Sequence, residues 1–232
     1  METLLNSLRE AAQLVVACDP ELLQILWASL RVSGMALFVV TLVGLPLGAA
    51  IALSRFPGRR LVIALLNTGM GLPPVLVGLV VCMFLWRSGP LGFLELLYTP
   101  AAMVIAQIII AFPIVTALSV AAIQRVDPNL LLQTQALGAS RWQTFKIAVR
   151  ECRIGLLAGI MAAFGGIISE VGAVMMVGGN IKGQTRVLTT GIVLETRMGN
   201  FEVALALGLV LLMLSFSVNL ALTVMQQGRG TR

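Results

Sequence analysis

The chain has 232 residues, 58% of them hydrophobic and 11% charged, far more apolar side chain than the core of a water-soluble domain of this size would need. Its 16 Lys and Arg exceed its 10 Asp and Glu by 6, yet they gather between long uncharged runs and form no basic stripe with interleaved aromatics. The excess therefore points to a lipid bilayer and away from nucleic acid, and the composition also excludes disorder, collagen and coiled coil.

Residues 1–19 carry Glu2, Arg9 and Glu10, with no basic stretch followed by an apolar one. This segment reads as an amphipathic surface helix and not as a cleavable signal. A bilayer core about 30 Å thick needs roughly 20 apolar residues of helix, and five runs reach that length: about 25–53, 61–86, 98–123, 154–177 and 203–225. The fold class expected is thus an all-α integral membrane protein, with five transmembrane helices and an amphipathic N-terminal helix in a single domain over 1–232.

Pro46, Pro73, Pro74 and Pro113 lie in or beside these runs and are expected to kink or interrupt helices. Gly44 and Gly48, then Gly155, Gly159 and Ala163, recur at four-residue spacing, which lets helix backbones approach closely. Ordinary helix packing accounts for them. The polar intervals set the orientation. Arg55, Arg59, Arg60, Arg125, Arg141, Lys146, Arg150, Arg153, Arg229 and Arg232 fall on one side; Arg9, Arg31, Arg87, Lys182, Arg186 and Arg197 fall on the other. That bias places the N-terminus outside and the C-terminus in the cytoplasm. Cys18, Cys82 and Cys152 are widely separated in a chain without histidine, so they read as free thiols with no metal site.

The interval at about 125–153 encodes two short helices. Asp127 followed by Pro128 is an N-cap with proline at the first helical position, and Gly138 supplies the left-handed residue that ends that helix. Ser140 with Gln143 forms a capping box for the second, on which Trp142, Phe145 and Val149 share one apolar face. The face wants a partner: a second protein, the membrane surface or the chain's own spans.

The run Leu137-Gly138-Ala139-Ser140-Arg141-Trp142-Gln143-Thr144-Phe145 resembles the cytoplasmic signature of ABC importer permeases, conventionally Glu-Ala-Ala, three residues, then Gly. Leu132, Gln133 and Thr134 stand at the Glu-Ala-Ala positions, and Arg150-Glu151 replaces the usual Leu-x-Pro-like ending. The glycine and its C-terminal flank carry this resemblance. A second one covers Ile168 through Ile181, then Thr185-Arg186-Val187-Leu188-Thr189-Thr190 and Val193-Leu194-Glu195-Thr196, with Gly71-Leu72-Pro73-Pro74-Val75-Leu76-Val77-Gly78. These runs are similar to the permeases of tungstate importers, and molybdate permeases share part of the pattern.

The resemblance implies a type I, MetI-like permease fold in the bacterial inner membrane. It implies a homodimer forming the pore, two ATP-binding subunits, and a periplasmic oxyanion-binding protein. The docking residues for the ATP-binding subunits would be Gln135, Ala136, Leu137, Gly138, Ala139, Ser140, Trp142 and Phe145. ATP and Mg would be used by those subunits, with no cofactor in this chain. Sequence alone agrees that the chain is no enzyme of its own: Lys182-Gly183-Gln184-Thr185 has the wrong order for a phosphate loop, and no clustered catalytic side chains are found.

Glu170 is the carboxylate well inside an apolar run, and an unpaired charge there is costly. Seventeen residues of helix from Arg153 would place it roughly 26 Å along, near the outer boundary, where it snorkels or pairs with Arg186 or Arg197. A structural salt bridge and a gate role both remain open. The loop at about 178–201 gathers glycines, hydroxyls and cations, which either offer hydrogen bonds to a tetrahedral oxyanion or dock a binding protein. Glu170, Gly172, Asn180, Thr185, Arg186, Thr189 and Thr190 are the candidates for a translocation path or gate. Molybdate or sulfate permeation, or an ion-driven secondary carrier, are the alternatives; the last would bring internal repeats and midplane ionisable groups, which are not evident.

Overall fold

The computed structural model describes residues 13, 16, 17 and 19–227, and among them every regular element is helical. Residues 1–12, Cys18, Arg229 and Arg232 lie outside the described residues, and with them most of the expected amphipathic helix. The helices are α1 (Pro20–Leu53), α2 (Arg59–Gly69), α3 (Pro74–Leu85), α4 (Pro100–Gln124), α5 (Pro128–Ala136), α6 (Arg141–Glu151), α7 (Arg153–Ile168), α8 (Gly172–Gly178), α9 (Leu188–Met198) and α10 (Phe201–Gln227). A 3-10 turn occupies Gly92–Leu94.

Helices α1, α4 and α10 are each long and apolar enough to cross a bilayer, and they coincide with three of the expected spans. The other two expected spans are not straight rods. The run 61–86 divides into α2 and α3, because each proline of the Pro73-Pro74 pair keeps the residue before it out of helical geometry. Pro73 is extended at φ −62° and ψ 121°, and Pro74 opens α3 in its first turn, where a missing N–H costs nothing. Pro46 and Pro113, by contrast, lie inside helices that continue through them. The run 154–177 divides into α7 and α8. With α2 and α3, and α6 and α7, each counted as one bent span, up to five spans result.

Where α7 stops, the carbonyls of Gly165 and Ile167 accept from the Ser169 and Glu170 N–H groups, each at 3.3 Å, and each also meets a side-chain donor. The Ser169 hydroxyl donates to the Gly165 carbonyl at 2.7 Å, and the Gln107 side-chain amide donates to that of Ile167 at 3.2 Å.

The chain forms two compact units. The first comprises Met1–Ala36, Pro73–Gln107 and Gly165–Ala221. In it α3 and α8 touch backbone to backbone: a Cβ on Gly78 would stand 2.6 Å from the Cα of Ala173. Leu22 and Ile25 of α1, Leu188 of α9, and Ala206 and Leu207 of α10 form a buried apolar cluster.

The second unit comprises Leu37–Leu72, Ile108–Phe164 and Leu222–Arg232. Here α4 lies against α1 on one side and α7 on the other. A Cβ on Gly48 would stand 2.6 Å from that of Ser119, and one on Gly155 would stand 2.9 Å from that of Ala122. The small-residue rows therefore serve close helix packing. Arg59 caps the end of α1, its guanidinium donating to the carbonyls of Ile51 and Ala52 at 2.8 and 2.9 Å.

Candidate functional site

The α5–α6 segment is built by its caps. The Asp127 carboxylate accepts from the Asn129 N–H at 2.9 Å, and Pro128 follows at the first helical position. At the other end of α5, Gly138 adopts φ +86°, which allows the Ala139 N–H to reach back to the Thr134 carbonyl at 3.0 Å. The capping box of α6 is complete: Gln143 N–H donates to the Ser140 hydroxyl at 3.3 Å, and Ser140 N–H donates to the Gln143 side chain at 2.7 Å. These are the helices and caps expected from the sequence.

The apolar face of α6 is divided between two uses. Ala148 is fully buried with Ala49 of α1 and Ile123 of α4, and Phe145 packs half-buried against that cluster. Val149 is also half-buried. Trp142 stays 61% exposed, stacked on Phe145 at 5.0 Å between ring centroids, with the Lys146 ammonium 5.4 Å from its ring. Leu137 is 89% exposed at the tip between the two helices. Gln135, Ala136, Gly138 and Ser140 are exposed around it, and Ala139 is half-buried. The chain's own spans pack against Phe145, Val149 is half-buried, and Leu137 and Trp142 remain exposed.

The second candidate group surrounds the break after α7. Helix α7 runs unbroken from Arg153 to Ile168, so most of the expected rise is realised, and Glu170 lies two residues past its end. It lies between α7 and α8, 9% exposed, and its carboxylate accepts from the Ala173 N–H at 2.9 Å at the start of α8. Among the described residues it makes no ion pair. Arg186 faces Glu21 instead, at 3.6 Å, and Lys182 reaches the same carboxylate at 2.7 Å. A Cβ on Gly172 would approach Val75 of α3 to 2.8 Å, so this position needs its missing side chain.

The hydroxyls of the expected oxyanion loop are turned inward. Thr189 donates to the Glu170 carbonyl at 2.9 Å, Thr190 donates to the Val187 carbonyl at 3.1 Å, and Thr185 donates to the Gly178 carbonyl. All three threonines are buried. Each hydroxyl has one proton, and each proton is committed to the protein's own backbone. Asn180 donates to the Thr190 carbonyl at 3.4 Å, leaving its side-chain oxygen unpartnered, and the Nε–H of Arg186 is likewise buried without a partner. The segment at about 178–201 is not a plain loop, since it contains α9, whose first N–H, that of Leu188, donates to the Ser29 hydroxyl of α1 at 2.8 Å.

The structure thus brings Glu170 to Thr189, Asn180 to Thr190, and Arg186 to Glu21. Sequence reasoning passed over Glu21, Ser29 and Gln107. Gln107 carries a legible signal: it is an amide within the apolar run of α4, where a polar side chain needs a reason. Among the described residues no three His, Cys, Asp or Glu side chains gather as metal ligands, and Cys82 and Cys152 are free.

Residues 44–230 match the family of binding-protein-dependent transport system inner membrane components. The chain is 41% identical over 227 residues to the tungstate uptake system permease protein TupB of Peptoclostridium acidaminophilum, covering 98% of this chain and all of that one. It is 43% identical over 203 residues to a probable anion ABC transporter permease protein of Haloferax volcanii, covering 85% of this chain and 88% of the relative. In fold it is similar to a chain of the MetNI methionine ABC transporter, with a TM-score of 0.71 at 18% identity over 89% of this chain and 95% of the other.

Proposed function

Starting from the fact that the chain belongs to the family of binding-protein-dependent transport system inner membrane components, we propose that it is the membrane-spanning subunit of an ATP-driven importer of tungstate. One observation carries the cargo: the 41% identity to a tungstate uptake permease runs over 98% of this chain and all of the relative. The chain is the non-catalytic part of the complex. Two copies form the pathway, two ATP-binding subunits hydrolyse Mg-ATP, and a periplasmic binding protein delivers the oxyanion. The ten cations on the side of the α5–α6 segment, against six on the other, support a cytoplasmic C-terminus and an outside N-terminus in a bacterial inner membrane.

The exposed Leu137 and Trp142, with Gln135, Ala136, Gly138, Ala139 and Ser140 between and around them, form the surface on which the ATP-binding subunit docks; Phe145 supports Trp142 from below. Packing supports a coupling role. A push on α6 bears directly on α1 and α4, because Ala148 is seated against Ala49 and Ile123. Closure of the ATP-binding subunits then biases the spans between inward and outward opening. Glu170, Gly172 and Thr189 hold the break after α7 in shape, Thr185 and Thr190 hold the end of α8 and the start of α9, and Arg186 keeps an unpartnered donor, while the unpartnered atom of Asn180 is an oxygen that offers an oxyanion nothing.

The test is uptake of labelled tungstate in a strain lacking this permease and complemented with it, challenged by unlabelled tungstate, molybdate and sulfate. Tungstate should compete best. Equal inhibition by all three would overturn the assignment of cargo, and full uptake without the permease would overturn the assignment of transport.

A further inference from the structure

Two hollows in the second unit meet at one side chain, Phe145. The first, about 710 Å³, is walled by Arg55, Arg141, Ser54, Gln135 and Thr144 among others. Its wall has two guanidinium groups and no carboxylate. Among the described residues neither arginine makes an ion pair. The Thr144 hydroxyl is buried with no hydrogen-bond partner, although the residue is only 5% exposed. Guanidinium groups, hydroxyls and an amide around a space without acids are the chemistry that recognises a phosphate-type oxyanion.

The second hollow, about 330 Å³, is nearly all apolar, with Leu42, Leu45, Pro46, Val149 and Leu156 in its wall. Both hollows run along α1, the apolar one from Thr41 and the cationic one to Arg55, just past the end of the helix at Leu53. Twelve residues of helix from Thr41 to Leu53 span roughly 18 Å. An inorganic anion has no use for the apolar half, and a plain hydrocarbon has none for the arginines. An amphiphile with an anionic head fits both.

We propose that Arg55, Arg141 and Thr144 hold the phosphate of an anionic phospholipid, whose acyl chain lies in the hollow bounded by Leu42, Leu45 and Val149. The head would supply the acceptor that the Thr144 hydroxyl lacks and would neutralise the two cations. The lipid would also lie against α6, beside the coupling surface, so that its presence stabilises the packing of α6 on α1.

The permease complex, with its ATP-binding subunits, is delipidated and titrated with phosphatidylglycerol, phosphatidylcholine of the same chains, or inorganic phosphate. Bound lipid is read by native mass spectrometry and stabilisation by thermal unfolding. Phosphatidylglycerol should bind in preference to phosphatidylcholine. Arg55→Gln and Arg141→Gln should each weaken that preference about fivefold, while Arg60→Gln, on α2 and outside the wall, leaves it unchanged. Leu42→Trp, at a side chain 62% exposed and so tolerated by the fold, should weaken both lipids alike by obstructing the apolar hollow. Equal binding of the two lipids, an unchanged preference in the arginine variants, or stabilisation by inorganic phosphate equal to that by phosphatidylglycerol would each overturn the proposal.

Discussion

Two glycines of α1 make a matched pair for testing close helix packing. At Gly34 a Cβ would meet nothing within 4 Å; at Gly48 it would stand 2.6 Å from the Cβ of Ser119 and 2.7 Å from the carbonyl oxygen of Thr116. Carbon atoms pack best at about 3.5–4.0 Å, so Gly48→Ala forces α1 and α4 apart by about 1 Å at that level. Overpacking of this kind costs about 1–3 kcal/mol. Alanine also gains about 1 kcal/mol of helix propensity over glycine, and this gain is shared by Gly34→Ala in the same helix. The difference between the two variants therefore isolates the packing strain. At about 2–4 °C per kcal/mol for a chain of this size, Gly48→Ala should unfold about 2–12 °C below Gly34→Ala. The assay is tryptophan fluorescence during heating in detergent, at one scan rate for both variants because unfolding of such proteins is seldom reversible. Ser119→Gly added to Gly48→Ala should restore part of the loss. Equal midpoints, or Gly48→Ala the more stable, would refute the close approach of α1 and α4.

Thr189→Val should lower stability by about 1–3 kcal/mol, because it leaves the Glu170 carbonyl unpartnered in a buried place; Thr189→Ser should retain most of it, as thermal unfolding of the pair will check. Ser140→Ala removes the cap of α6 and should cost about 1 kcal/mol, seen as faster amide exchange confined to the first turn of that helix. Trp142→Ala should change the unfolding midpoint little, since the ring is mostly exposed, yet should abolish co-purification of the ATP-binding subunits. Retention of those subunits by the variant would remove Trp142 from the docking surface.

Length and hydropathy were enough to locate the three long spans, because nothing but a helix satisfies an isolated backbone in lipid. The breaks were harder to read. Four prolines carried the same warning, but Pro46 and Pro113 sit within continuous helices while Pro73 and Pro74 end one. The difference is the doubled ring, with Gly69 and Gly71 just before it. The break after Ile168 has no proline at all. At that break the Ile167 carbonyl, which also accepts the Glu170 N–H at 3.3 Å, is met by the side-chain amide of Gln107, 60 residues away in sequence. Local pattern cannot report a partner so distant. The caps of α5 and α6 were legible for the opposite reason, since every bond that makes them spans five residues or fewer.

The same distinction reassigns the chemistry of the segment after α8. By composition its threonines look like ligands for a tetrahedral anion, but three hydroxyl protons already serve the carbonyls of residues 170, 178 and 187. What the segment retains is charge that is only partly met. Lys182 and Arg186 share the single carboxylate of Glu21, Arg186 the more distantly, and the Nε–H of Arg186 has no acceptor. A site that trapped a dianion would meet it with several aligned donors, each bond adding to the residence time. With those hydroxyls committed, the proposal that the segment guides a dianion rests on the side chains of Lys182 and Arg186 and not on a cage of hydroxyl donors. Under that proposal the segment would supply what a conducting path requires, attraction favourable enough to admit an ion and weak enough to release it.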